Sequence, residues 1–208
     1  MPAYEIDGVV PVVDPTAFVH ESASLIGDVI IGPGCYIGPF ASLRGDFGRI
    51  IVGEGSNVQD SCVIHAFPGA DAVLEPNSHV GHGAVLHGCV VHSFALIGIG
   101  ATVLDGAEIG ENALVGAGAV VPAGTVVPAA SLAVGNPAKV VKQLDDVALE
   151  WKRNGVRIYQ ELAQRSRETL RPVLALTAVE PDRPRVSTGA DVSRPLHEHR
   201  RSAADDSE

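Results

Sequence analysis

Aliphatic residues recur every six positions along most of the chain. They fall at Val19, Leu25, Ile31, Ile37 and Leu43, then at Val52, Val58 and Ile64, then at Val80 and Leu86. The longest series runs Val91, Ile97, Val103, Ile109, Val115, Val121 and Val127. Glycine often follows the aliphatic, as in Ile31-Gly32, Val52-Gly53, Ile97-Gly98 and Ile109-Gly110. A period of six matches neither the 3.6-residue helix nor a simple hairpin meander. It predicts a coil in which each hexapeptide supplies one short flat strand and one turn, with three hexapeptides closing a triangular turn of about 18 residues. The aliphatic side chain points into the prism and stacks on its counterpart one coil away, while neighbouring coils satisfy each other's backbone groups. The expected fold class is an all-β solenoid, a parallel β-helix.

The repeat breaks in three places. LRGDFGRII inserts three residues between Leu43 and Val52. HAFPGADAVLEPNSH, between Ile64 and Val80, is expected to protrude as a loop. One residue is missing between Leu86 and Val91. Polar residues cluster at these breaks, which is where function tends to reside. The pattern stops at Gly135-Asn136-Pro137, so residues 1–141 are read as the solenoid domain. Residues 142–172 turn helical in composition, with Leu144, Val147 and Trp151, and then Val156, Tyr159 and Leu162, at 3–4 spacing. Asn154-Gly155 is expected to divide that segment into two helices packed outside the prism. Residues 173–208, rich in Pro, Arg, Asp and Ser, are expected to form a polar, disordered tail.

Composition narrows the chemistry. Aromatics are 4% of 208 residues, as a narrow prism requires, and the net charge of -10 argues against a nucleic-acid or anionic-membrane partner. No apolar run reaches the ~20 residues of a membrane span, and the N-terminus lacks a leader pattern, so a cytoplasmic protein is expected. Cys35, Cys62 and Cys89 stand among apolar neighbours without a C-x-x-C pair and read as buried free thiols.

Of eight histidines, His20, His79 and His92 have no partner at useful spacing and read as surface or turn residues; His197 and His199 fall in the tail. His65 and His87 each directly follow a core aliphatic, share one phase and should project the same way. His82 lies two places after Val80 and should project elsewhere. On spacing alone these three are either ordinary solvated or core histidines or a metal site. If a metal site, a symmetric oligomer is needed, with His65 and His87 of one subunit facing His82 of the next. Three imidazoles with an open position form the ligand set of a catalytic zinc.

LRGDFGRIIVGEGSNVQDSCVIH, then HVGHGAVLHGC, then the helical segment with Trp151, Lys152 and Tyr159, resembles the γ-class carbonic anhydrase-like family of hexapeptide-repeat proteins, over roughly residues 5–172. Within it the resemblance is first to the branch associated with phenylacetate degradation and next to the branch of carnitine metabolism. The resemblance implies a left-handed β-helix, a homotrimer with metal sites between subunits, and zinc held by His65, His82 and His87, with iron or cobalt as substitutes. It implies that Gln59 holds the metal-bound water, that Asn57 and Asp60 orient and support, and that Tyr159 lies near the metal. Arg44 and Asp46 match paired charges at the trimer interface. Their plain alternative is a structural ion pair, and that of Tyr159 is helix packing.

A three-histidine zinc lowers the pKa of bound water to roughly 7 and supplies a hydroxide able to attack CO2, an ester or a thioester. Fast CO2 hydration requires fast proton export. Here Phe47 follows Asp46, and Phe67-Pro68-Gly69 follows His65, with no carboxylate before Asp71 and Glu75. The two phenylalanines suit an apolar wall for an acyl group. The expectation is therefore a metal-dependent hydrolase of acyl-CoA thioesters, tied to phenylacetate degradation. The alternatives are a carbonic anhydrase with Glu75 as proton shuttle, or a non-catalytic accessory trimer. An acyltransferase fits less well with the H-x16-H-x4-H arrangement.

Overall fold

A computed structural model describes residues 3–186 together with Leu196 and Glu198. The hexapeptides build a parallel β-solenoid of about seven turns, whose cross-section has three faces. Val63–His65, Val85–His87, Thr102–Val103 and Val120–Val121 pair in order on the first face. Ala72–Leu74, Val90–Val91, Glu108–Ile109 and Val126–Val127 do so on the second. Phe18–Val19, Tyr36–Ile37, Asn57–Val58, His79–Val80, Leu96–Ile97 and Leu114–Val115 form the third. Leu25, Leu43, Ile64, Leu86, Val103 and Val121 stack through the prism with no exposed surface. Burying a side chain of this size is worth roughly 1.5–3 kcal/mol, and the stack repeats that gain on every coil.

The breaks resolve differently from the expectation. The inserted LRGDFGRII is part of one long strand, Ser42–Val52, which turns the corner between the first and second faces and pairs with Val63–His65 and then with Ala72–Leu74. The stretch between Ile64 and Val80 is not wholly a loop. It contains the strand Ala72–Leu74, and Leu74 restores the six-residue phase to Val80. Only the turn around Phe67–Ala70 departs from the coil.

A closing antiparallel strand, Lys139–Gln143, carries the solenoid a little past residue 141. One helix follows, α1 (Asp146–Thr169), where two were expected. Asp145 caps it, its side chain accepting from the Ala148 N–H at 2.9 Å. It ends at Leu170, ahead of Pro172, which disfavours helical geometry in the residue before it. The buried stripe Ala148, Lys152, Val156 and Ala163 passes Asn154-Gly155 without losing phase. Packing of that stripe outweighs the ~1 kcal/mol that an interior glycine costs. The helix lies on the third face, where Tyr159, Leu162 and Ala163 meet Phe18 and Tyr36.

Residues 173–186 run exposed without helix or strand, and Val173, Leu174, Leu176, Val179 and Val186 make this stretch less polar than expected. The rest of the tail, including His197 and His199, lies outside the described residues. Cys35, Cys62 and Cys89 are free and buried in the prism, and burial pushes their thiols up to about 11, 11 and 12. No helix among the described residues is long and apolar enough to cross a membrane.

Candidate metal centre in two halves

The first cluster forms at the corner between the first and second faces. His65 and His87 occupy paired positions on adjacent parallel strands, so the backbone ladder sets their imidazoles one above the other. Their ring centroids are 5.1 Å apart, and His65 Nδ1 lies 3.1 Å from His87 Nε2. Each ring turns its other nitrogen to a carboxylate: His65 Nε2 is 2.9 Å from Asp46 Oδ1, and His87 Nδ1 is 2.5 Å from Asp105 Oδ1. Asp46 also receives a hydrogen bond from Arg44 Nη1 at 2.6 Å. The charged pair therefore supports the corner cluster directly, whatever else it does.

Glycine makes the corner possible. A Cβ on Gly45 would lie 2.3 Å from the Asp28 carbonyl oxygen, and one on Gly48 1.8 Å from that of Ala70. Only glycine lets the bulged strand pass this close while Asp46 and Phe47 face outward. Phe47 and Phe67 are more than half exposed and pack against the two imidazoles, Phe47 at 5.4 Å from the His65 ring and Phe67 edge-on at 4.8 Å from His87.

The two inward nitrogens test the fit of a metal. A carboxylate behind an imidazole fixes the proton on the nitrogen that faces it. With protons at His65 Nε2 and His87 Nδ1, the two unprotonated nitrogens lie 3.1 Å apart. A cation bound in front of the two nitrogens, off the line that joins them, would take up both lone pairs. Zn–N bonds of about 2.0–2.1 Å in tetrahedral geometry place two ligand nitrogens about 3.4 Å apart, so the spacing suits two ligands of one ion.

The second cluster lies on the third face and the corner that follows it. His82 Nδ1 is 2.6 Å from Asp60 Oδ2, and its Nε2 faces the Tyr159 hydroxyl at 3.5 Å. Gln59 accepts the backbone N–H of His82 on Oε1 at 3.2 Å and donates from Nε2 to Asn57 Oδ1 at 3.1 Å. Burial pushes the Tyr159 phenol up to about 12, helped by Tyr36, so it stays protonated. Gln59, His82, Trp151 and Tyr159 share a groove of about 330 Å³ with Ile97 and Ile99.

His82 lies in the turn that precedes the strand Val85–His87 and occupies a different corner from His87, with the five residue steps between them able to span at most about 16 Å. Accordingly, no group of three metal-binding side chains forms within the chain among the described residues. The structure brings His65, His87, Asp46 and Arg44 together, brings His82, Asp60, Gln59, Asn57 and Tyr159 together, and keeps the two sets apart.

Three histidines differ from the expectation. His79 has a close partner, its Nε2 lying 2.6 Å from Gln59 Nε2, with its ring edge-on to Tyr159. His92 lies 3.0 Å from Glu75, and His20 pairs with the Ser22 hydroxyl at 2.8 Å. Glu75, the shuttle of the carbonic anhydrase alternative, sits at the third corner, bound to His92 and to the Ser93 N–H. The sequence reading missed Asp105. The coil length could have found it, because a residue 18 places after His87 stacks on it.

Comparison with known proteins agrees with the fold. A family model described as bacterial transferase hexapeptide (six repeats) matches residues 88–123. The carnitine operon protein CaiE of Salmonella agona (strain SL483) is 50% identical over 192 residues, 92% of this chain and 97% of its own. That of Salmonella newport (strain SL254) matches equally well over the same lengths. Among solved structures, a putative acetyltransferase of Bacillus cereus is 36% identical with a TM-score of 0.79, covering 80% of this chain and 96% of its own. A hexapeptide transferase family protein of Anaplasma phagocytophilum is 34% identical with a TM-score of 0.76, over 78% and 96%. These curated relatives carry the carnitine name, and the expected phenylacetate association gains no support from them.

Proposed function

Because this chain belongs to the CaiE branch of the γ-class carbonic anhydrase-like hexapeptide-repeat proteins, we propose that it is a cytoplasmic homotrimer in which the two half-sites meet between subunits, hold one divalent cation, and hydrolyse acyl-CoA thioesters. The carrying observation is the pair of carboxylate-backed imidazoles whose inner nitrogens lie 3.1 Å apart. Threefold packing would bring a neighbour's His82 to that pair as the third ligand, with zinc, iron or cobalt all compatible with three imidazoles. The CaiE likeness favours carnitine-type acyl groups over aromatic ones.

When bound, the ion supplies Lewis acidity towards water and a carbonyl oxygen. The chain's own residues do the rest. Asp46, Asp105 and Asp60 keep protons on the outer nitrogens, so that the inner ones remain donors to the ion. The Gln59 Oε1 retains a lone pair that can accept a hydrogen bond from water and orient it. Tyr159, kept protonated, offers a hydrogen-bond donor beside His82. Phe47 and Phe67 give the mouth an apolar wall that suits an acyl group. The likeness to a putative acetyltransferase and a hexapeptide transferase family protein is compatible with such an electrophile, since transfer and hydrolysis open the same thioester and differ in the acceptor.

The likeness to CaiE also supports a second reading, a non-catalytic accessory trimer. One set of measurements decides: sedimentation for the trimer, metal content per protomer, thiol release from acyl-CoA and CO2 hydration by stopped flow. Thiol release lost in His87→Ala is the expected result. CO2 hydration without thiol release would make the protein a carbonic anhydrase. A full metal complement with neither activity would leave the accessory role.

A further inference from the structure

We propose that His79 is a positioning residue for Gln59, locking its amide so that the carbonyl oxygen, and not the amino group, faces the metal-centred site; this rests on the site reading above. The backbone N–H of His82 cannot flip, and it points at Gln59 from 3.2 Å, so the atom facing it must be Oε1. The Gln59 amino group is then directed at Asn57 Oδ1, 3.1 Å away, and at His79 Nε2, 2.6 Å away. Both of its protons are thereby used. His79 Nε2 must therefore be an acceptor, and the ring proton must sit on Nδ1.

That tautomer carries a penalty. His79 Nδ1 is buried and has no hydrogen-bond partner among the described residues. Leaving a buried donor unpaired is unfavourable, yet the opposite tautomer would set an N–H against an N–H at 2.6 Å and break the Gln59 contact. The ring is held for this arrangement by its edge-on contact with Tyr159, 5.3 Å between centroids. Burial, reinforced by His82 and Lys152, pushes the imidazole down to about 4, so it remains a neutral acceptor through the physiological range. His79 and Tyr159 together form a brace between α1 and the segment that holds Gln59, just past the strand Asn57–Val58.

Long-range ¹H–¹⁵N correlation on the intact protein reads the tautomer without any turnover. The expected signature is a neutral His79 protonated at Nδ1 from about pH 5 to about pH 8, spanning the ordinary histidine value. In His79→Phe, which keeps the ring against Tyr159 and removes the acceptor, the Gln59 side-chain NH2 signals should shift and exchange faster. Thiol-release kcat should fall about tenfold with KM and metal content unchanged, and His79→Asn, which restores an acceptor, should recover part of it. An Nε2-protonated or cationic His79 at neutral pH overturns the inference. So do unmoved Gln59 signals in His79→Phe, or in His79→Leu, which also removes the acceptor, should the Phe variant fail to fold. If the spectra are as expected but the wild-type protein turns over no thioester, the positioning role stands and the hydrolase reading falls.

Discussion

The two half-sites are built by different means. At the corner, His65 and His87 are register partners, and their side chains are 12% and 24% exposed. Their carboxylates come from neighbouring coils. In the other half, the His82 and Asp60 side chains are 45% and 43% exposed, and the residues behind them are braced by Tyr159 of α1. The corner half is a product of the repeat: once the coils stack, the imidazoles must meet. The helix-backed half requires a second event, the docking of α1 onto the third face. A corner that arrives complete and a face that presents one exposed histidine are the two parts that the proposed shared centre would join.

The most severe way to break this comparison is to remove one ligand from each half. His65→Ala and His82→Ala should each lose metal and at least about 10³-fold in thiol release, checked by metal analysis and initial rates. Mixing the two inactive variants and allowing subunit exchange should restore about a quarter of the sites, as random assembly of a cyclic trimer predicts. No recovery after confirmed exchange would show that the halves do not meet.

Changing the carboxylates tests whether both halves use the same orienting device. Asp105→Asn and Asp60→Asn should each weaken metal affinity about 10–100-fold, measured by chelator competition. A loss for Asp105→Asn alone would confine the device to the corner.

A smaller effect sharpens the contrast in lining. Phe67→Ala should raise KM for acyl-CoA about fivefold and leave metal content unchanged, since it removes apolar surface beside His87 but no donor.

The smallest effect concerns the helix. Lys152 is 2% exposed and donates to the Asn112 carbonyl, and burial pushes its ammonium down to about 7 from 10.5. Between those values the unfolded chain binds the extra proton, so stability rises with pH from about 7 to about 10.5. Lys152→Met should raise Tm by a few degrees near pH 7, with the gain shrinking towards pH 10.5, measured by calorimetry. A gain independent of pH would mean that Lys152 is not held as a strained cation.

Much of this architecture was legible as a period. The in-phase aliphatics name the core: Ile64, Leu86, Val103 and Val121 are all fully buried. The shared phase of His65 and His87 placed them together. Asp105 was readable in principle from the coil length and was overlooked. The strand Ala72–Leu74 was hidden because Phe67-Pro68-Gly69 reads as a loop, and backbone pairing to the neighbouring coil decides strand identity there. The single helix was hidden for a similar reason. Asn-Gly is a turn signal in isolation, but a buried stripe running through it keeps the helix continuous.

His79 marks the limit of local reading. Nothing in its neighbours announces a partner, because Gln59 lies 20 residues earlier on the adjacent coil and Tyr159 arrives from the helix. By itself the amino-acid order determined the coil, its core and the corner pair of imidazoles, since a strict repeat converts position in the chain into position in space. The tertiary structure alone decided which tautomer His79 carries, which way Gln59 turns and that His82 stands apart from its fellow histidines. Those outcomes depend on hydrogen bonds and burial between segments that meet only after the coils have stacked and the helix has docked.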